Sequence, residues 1–300
     1  MRAADIIKAR GGRNGVCRCP AHDDKNPSLS VSEGKGGRVL VKCHAGCSQH
    51  AVIDALRRNG QWPGDAREAP PMTEAERKRQ LQQDEALELE NARKDAFITE
   101  TWRQTWVKRI PASKSPELRR WFQHRGIDYN KLDIGRLDDA LGWLPDCPRG
   151  RGTSPAMVAL MTDAITNEAC GIHRTFLLPD GSGKAPVDPV RMMLGRAGVV
   201  RLSRDDDLET CIGLCEGIET GLAIMAAGWA PVWACGSLGA LTAFPVLSGI
   251  ECVTVFADGK AHEIEGARTC ARRWADAGRA ARVWVPHDGR DFNDILRVLG

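Results

Sequence analysis

At 300 residues the chain is longer than one small module and suits two or three compact units of roughly 100–150 residues each. A content of 42% hydrophobic and 27% charged residues is enough to bury real cores and excludes a wholly disordered protein. No run approaches the roughly 18 apolar residues of a membrane span, and Asp5 stands where a signal peptide would carry its apolar stretch, so a soluble, cytoplasmic protein with no membrane partner is expected.

The net charge of +3 is unevenly spread. Residues 1–60 hold 11 Lys/Arg against 5 Asp/Glu, whereas residues 201–300 hold 10 against 14. A basic end in series with a carboxylate-rich end suits a polyanion binder joined to a metal-dependent site, and suits an unevenly solvated surface equally well. Eleven cysteines, an odd number with no secretory signal, point to reduced thiols and to metal-type spacing rather than disulfides. Cys211, Cys215, Cys235 and Cys252 sit in apolar runs and read as small core residues, while Cys147, Cys170 and Cys270 lack partners at ligand spacing and read as structural.

In chain order, residues 1–60 come first. Cys19-x2-His22 and Cys43-x3-Cys47 place two soft ligands on each of two tight turns, the way a tetrahedral zinc site is assembled. Cys17 and His44 are spare donors beside them. Between the turns, Ser28–Val31 and Arg38–Lys42 alternate as short strands around Gly34, Gly36 and Gly37, predicting a small β ribbon. Ser48 then caps a helix from Ala51 to Arg58.

The run Cys19-Pro20-Ala21-His22-Asp23-Asp24-Lys25-Asn26-Pro27-Ser28-Leu29-Ser30-Val31, followed by a glycine-bearing cysteine knuckle, resembles the zinc ribbon of bacterial and phage DNA primases. The resemblance implies contact with single-stranded DNA template through residues 1–60, with Lys25, Lys35, Arg38 and Lys42 on phosphates.

Pro63, Gly64, Pro70 and Pro71 break the pattern and open a segment, 61–111, dominated by one long charged helix from Thr73 to about Lys108. Trp102 and Trp106, one turn apart, are expected to dock the end of that helix.

Residues 112–205 read as a basic α+β subdomain. An amphipathic helix at Pro116–Phe122 precedes strand-like runs at 156–161, 171–178 and 199–203. Gly171-Ile172-His173-Arg174-Thr175 and the loop Gly183–Arg191 carry Arg174, Lys184 and Arg191, cations suited to nucleotide or template phosphates and equally to an ordinary surface. Both segments resemble ones found just upstream of the catalytic domain in phage and mobile-element primases. Residues 181–185 lack P-loop spacing and the Ser/Thr after the Lys, so no helicase motor is expected and a separate replicative helicase is the implied partner.

Residues 206–300 alternate strand and helix: strands at 211–215, 231–235, 252–258 and 281–286, helices near 219–227, 238–244 and 263–277. This predicts an open, mostly parallel α/β sheet whose ligands gather at the carboxyl ends of its strands. Glu216 and Asp258 follow two strand ends, and Asp291 and Asp294 follow the last, an oxygen-rich set suited to Mg²⁺ or Mn²⁺.

Cys215-Glu216-Gly217-Ile218-Glu219-Thr220 and Phe256-Ala257-Asp258 resemble the first two motifs of the Toprim domain. That resemblance implies Glu216 and Asp258 as catalytic residues, with Asp291 added from its place after the last strand, and template-directed joining of ribonucleoside triphosphates into RNA primers. The second motif departs from the family's Asp-x-Asp: Lys260 stands where a second carboxylate is expected, leaving Glu263 or Glu265 as replacements or the site impaired. A Toprim-type nuclease and a non-catalytic single-stranded-DNA-binding adaptor are the rival readings. A topoisomerase is disfavoured, since the single tyrosine, Tyr129, lies in a polar stretch outside the acidic region.

Overall fold

The computed structural model describes residues 2–12, 15–24, 27–34, 38–62, 74–286 and 292. It divides into two compact units, Met1–Ala86 and Leu87–Gly300. Among the described residues no helix is long and apolar enough to cross a membrane.

In the first unit, β1 (Val16–Cys17), β2 (Leu29–Glu33) and β3 (Val39–Cys43) form an antiparallel sheet, with Val31 opposite Val41 and Leu29 opposite Cys43. Alternation along β3 turns Val39, Val41 and Cys43 inward and leaves Leu40 and Lys42 on the solvent face. A helix not anticipated from sequence, α1 (Ala3–Ala9), adds Ile6 to the core, and α2 (Gln49–Arg58) adds Val52 and Leu56. The Ser48 hydroxyl caps α2 by accepting from the Ala51 amide. This core is thin, which matters for what the thiols must contribute.

The helix α3 (Glu74–Val107) has no apolar stripe, and its side chains are mostly solvated until its last turns. There Trp102 is buried and Trp106 packs against the cluster of Leu144, Cys147 and Phe176.

The second unit holds two five-stranded sheets. The first is an antiparallel meander of β4 (Ile110–Pro111), β5 (Leu141–Arg149), β6 (Gly152–Thr162), β7 (Ala169–Phe176) and β8 (Arg191–Gly195), flanked by α4 (Pro116–His124) and the short α5 (Ile134–Leu137). Sequence reading missed β5 because Pro145 and Pro148 interrupt it; the register shifts between Leu144 and Cys147, the bulge that a strand needs to carry prolines. It also missed β8, which starts inside the basic loop.

The second sheet has the order β13-β12-β10-β11-β9, from β9 (Val200–Arg201), β10 (Cys211–Cys215), β11 (Val232–Ala234), β12 (Cys252–Phe256) and β13 (Ala280–Trp284). Helices α6 (Ile218–Ala226), α7 (Leu238–Ala243) and α8 (Ala261–Asp276) connect its strands. Four strands are parallel and β9 runs antiparallel at the edge beside β11. The 199–203 run therefore closes the C-terminal sheet rather than the central one. The two sheets share one continuous core that includes Trp121, Met157, Val200, Leu222 and Phe256.

Cys211 and Cys252 face each other in register on β10 and β12 and are joined as a disulfide, a correction to the expectation of thiols throughout. Cys147, Cys170 and Cys270 are buried, as structural cysteines should be.

Candidate functional site

In the first unit Cys19, His22, Cys43 and Cys47 converge, with their ligand atoms all within 4.8 Å of one another. Two come from the turn after β1 and two from the end of β3 and the turn beyond it. His22 Nδ1 lies 3.3 Å from Cys47 Sγ, and its Nε2 lies 3.5 Å from Asp24 Oδ1. One ring nitrogen thus faces the thiols while the other faces a carboxylate, the arrangement that fixes a ligating imidazole. Asp24 Oδ2 in turn accepts from the Cys19 amide at 2.6 Å and from the Ser28 hydroxyl at 2.7 Å. Burial alone would raise the Cys43 thiol, but hydrogen bonding with the Cys47 amide, the Ser28 hydroxyl and the Ala45 amide brings it down to about 7, toward the thiolate a metal requires. A donor set of three sulfurs and one nitrogen fits Zn²⁺. Neither spare donor joins it: Cys17 is buried in the core, and His44 pairs with the Ser30 hydroxyl at 2.8 Å.

Lys42 is solvent-facing on β3, while Lys25 and Lys35 lie outside the described residues. So do Asp291 and Asp294.

In the second unit the parallel sheet reverses order at β10: the chain moves to β11 on one side and then to β12 on the other. Loops leaving β10 and β12 diverge, opening the crevice where such sheets hold ligands. Glu216 immediately follows β10, and Asp258 lies two residues past β12. Gly236, at φ +77°, donates its amide to the Glu216 carbonyl at 2.8 Å and pins the loop. Burial, reinforced by the charge of Glu263, pushes the Glu216 carboxyl above its usual range against Arg191, Lys260 and His262.

Glu263, in the first turn of α8, is near enough to act on Glu216 through its charge, and its Oε2 is buried without a hydrogen-bond partner among the described residues. Glu265 instead points outward and pairs with Arg272. Lys260 is 69% exposed, and its Nζ lies 2.9 Å from Glu263 Oε1. These carboxylates do not draw together as tightly as the thiols: among the described residues the Cys/His group alone brings three or more ligand atoms within 4.8 Å. Spaced oxygen donors suit Mg²⁺, which keeps several waters.

The cations converge on a residue that motif reading passed over. Glu219, in the first turn of α6, has a side chain only 7% exposed, and its Oε2 lies 3.2 Å from Arg191, 3.6 Å from Lys184 and 3.6 Å from Arg125. Burial holds the Lys184 ammonium below its ordinary value, opposed by Glu219 and reinforced by Arg191 and Arg125. Three cations on one carboxylate oxygen leave an excess of positive charge next to Glu216. Arg125, at the C-terminus of α4, carries no motif, and its part is visible only in the fold. The wider cleft of about 530 Å³ lined by Arg201, Trp233 and Ile250 includes none of these residues.

Arg174 belongs elsewhere. It is 4% exposed and donates to the Pro148 and Met193 carbonyls, tying β7, which carries it, to β5 and β8. Both terminal nitrogens of its guanidinium are engaged by backbone carbonyls, so it does not join the cations around Glu219. Arg174→Met is expected to cost about 2–4 kcal/mol by leaving buried carbonyls unpaired, whereas Arg191→Met, half-exposed, should cost under about 1 kcal/mol. Urea midpoints of the two variants check the contrast.

Residues 211–300 match the Toprim domain, and residues 97–202 match a domain of unknown function, DUF7146. No curated protein matches the sequence. Among solved structures, the zinc-binding and RNA polymerase domains of the Aquifex aeolicus primase superpose at a TM-score of 0.50 and 14% identity, over 99% of this chain and 80% of that one. A DnaG primase catalytic domain bound to single-stranded DNA gives 0.47 and 14%, over 68% and 79%. The RNA polymerase domain of the Mycobacterium tuberculosis primase gives 0.44 and 14%, over 68% and 82%. The Toprim match is confined to the last 90 residues, the parallel sheet with its connecting helices. Its fold is similar to that of the zinc-binding and RNA polymerase domains of the Aquifex aeolicus primase.

Proposed function

We propose that the protein is a DNA primase of phage or mobile-element type, making short RNA primers on single-stranded DNA from ribonucleoside triphosphates. The observation that carries this reading is the pairing, in one sheet crevice, of Glu216 and Asp258 with a cation cluster one helical turn away on Glu219. Primer synthesis needs both halves: carboxylates that hold a divalent ion and cations that receive a triphosphate.

In this reading Glu216, Asp258 and Glu263 would hold Mg²⁺ or Mn²⁺, Glu263 taking the place of the carboxylate that Lys260 displaces; Asp291 and Asp294 remain further proposed ligands. The ion, when bound, stabilises charge as a 3′-hydroxyl attacks the α-phosphate and pyrophosphate leaves. Lys184, Arg191 and Arg125 orient the triphosphate, Lys as a point charge and Arg by its planar fork. Lys25 and Lys42 of the zinc-type ribbon contact template phosphates, positioning the strand without reading sequence. A separate helicase supplies the unwound template.

The deciding experiment is primer synthesis on single-stranded DNA with labelled ribonucleotides, Zn²⁺-loaded protein and Mg²⁺ or Mn²⁺. Short RNA products are the expected result. Template binding should also weaken steeply with salt, a slope of about −0.7 per phosphate neutralised. Salt-sensitive DNA binding with no product under either ion would favour the adaptor reading, to which the Lys260–Glu263 ion pair lends support.

A further inference from the structure

Beside Glu219 lies a cavity of about 30 Å³, lined by His173, Thr175, Arg191, Glu216, Glu219 and Gly236. Two of its walls carry polar atoms with no hydrogen-bond partner among the described residues, Glu219 Oε1 and His173 Nδ1. Both residues are 6% exposed, and burying an unpaired carboxylate oxygen and an unpaired ring nitrogen on residues that line one cavity is costly unless something fills the space.

The surroundings narrow the occupant's chemistry. A metal ion is disfavoured, because Arg125, Lys184 and Arg191 all lie within 3.6 Å of the same carboxylate and would repel it. An anion as large as phosphate does not fit the space, and the nearest cations are already engaged by Glu219 Oε2. What remains is a neutral group that donates to Glu219 Oε1 and pairs with a ring nitrogen. Burial, reinforced by Arg191, lowers His173 to about 4, so the imidazole is uncharged near neutrality and offers one donor and one acceptor. A hydroxyl carries one donor and two lone pairs, which complements an acceptor and an N–H together. The volume admits a group of about that size.

We propose that this cavity is a hydroxyl receptor and that, granting the nucleotide-polymerising reading above, the hydroxyl it takes is one on the ribose of a bound nucleotide. Glu219 then serves both ends of the ligand: Oε2 gathers the cations that receive the phosphates, and Oε1 accepts from the sugar. The sugar hydroxyl is what separates a ribonucleotide from its deoxy counterpart, so His173 and Glu219 would be specificity-determining residues for an RNA-making enzyme.

The test measures binding of ATP, 2′-deoxyATP and 3′-deoxyATP to the full chain without template, beside primer synthesis from the same nucleotides. The wild type should bind ATP at least about tenfold more tightly than one of the two deoxy analogues, and that analogue identifies the hydroxyl. His173→Leu and Glu219→Gln should collapse the difference to under about threefold. His173→Asn, which keeps an amide near the Nδ1 position, should retain most of it. Lys184→Gln should weaken all three nucleotides alike, since its ammonium lies on Glu219 Oε2, the side proposed to receive phosphate, and not on Oε1. Equal affinity for the three nucleotides in the wild type, or discrimination unchanged in both His173→Leu and Glu219→Gln, would overturn the proposal and leave the cavity to an ordered water. Hydroxyl-dependent binding without primer synthesis would sustain the receptor and sink the primase reading. Primer synthesis with no hydroxyl preference would do the reverse.

Discussion

Chelating the metal from the purified protein, or replacing Cys43 by Ser, is expected to unfold residues 2–62 while the second unit keeps its structure. The first unit's core is built from small or short side chains, Ile6, Leu29, Val31, Val41, Val52 and Leu56 foremost, around a three-stranded sheet. So few buried groups cannot offset the ordering entropy of some sixty residues, and small metal-bound domains draw about 10–16 kcal/mol from Zn²⁺. Cys43 is central because it ends β3 and pairs in register with Leu29, so its loss removes a ligand and loosens the sheet. The wild type should contain one zinc per chain by metal analysis, and Cys43→Ser none. Asp24→Asn should be milder, lowering zinc affinity by about 10–100-fold, because it releases the His22 ring without removing a ligand. Full zinc retention in Cys43→Ser would show that the four side chains converge for packing alone.

The four zinc-type ligands were legible because each pair sits on one turn, where spacing in sequence is spacing in space. Asp24 was not, although it lies two residues from His22: its role arises only when the chain folds back so that one carboxylate meets the Cys19 amide and the imidazole. In the second unit the alternation of apolar strands and helices disclosed the parallel sheet, and with it Glu216 and Asp258 at strand ends. The central meander was harder, since Pro145 and Pro148 hide β5 and β8 begins inside a Gly/Pro loop. Arg174 and Arg191 carry the same charge in similar basic motifs, yet one lies on a strand hydrogen-bonded on both sides and the other starts an edge strand. Only pairing tells them apart. Glu219 shows the limit most plainly, because Arg125, Lys184 and Arg191 come from three separate elements and their meeting point has no local signature.

The acidic crevice carries the second large effect: Glu216→Gln and Glu263→Gln should each reduce metal-dependent primer synthesis by about 10²–10⁴-fold, with Glu265→Gln unchanged. Glu216 follows β10 at the point where strand order reverses, and replacing its carboxylate removes a negative charge worth several kcal/mol to a divalent ion at almost no change in size. Glu263 earns equal weight on geometry, since its charge acts on Glu216 and its Oε2 has no hydrogen-bond partner among the described residues, whereas Glu265 is engaged with Arg272 on the surface. The pair of glutamates on one turn of α8 thus supplies its own control. Lys260 then becomes a modulator. Its ammonium holds Glu263 Oε1, and that hydrogen bond raises its own proton affinity, so a metal ion must compete with it for the carboxylate. Being largely exposed, it is screened and yields readily. Lys260→Ala should therefore tighten Mn²⁺ binding by a few fold and leave folding intact, and Lys260→Asp, which adds a carboxylate as well, should tighten it further. A calorimetric Mn²⁺ titration of the five variants beside the synthesis assay orders them. Equal metal affinity in wild type and Glu263→Gln would remove Glu263 from the site, and a loss of synthesis in Lys260→Ala at unchanged metal affinity would reassign Lys260 to a nucleotide phosphate.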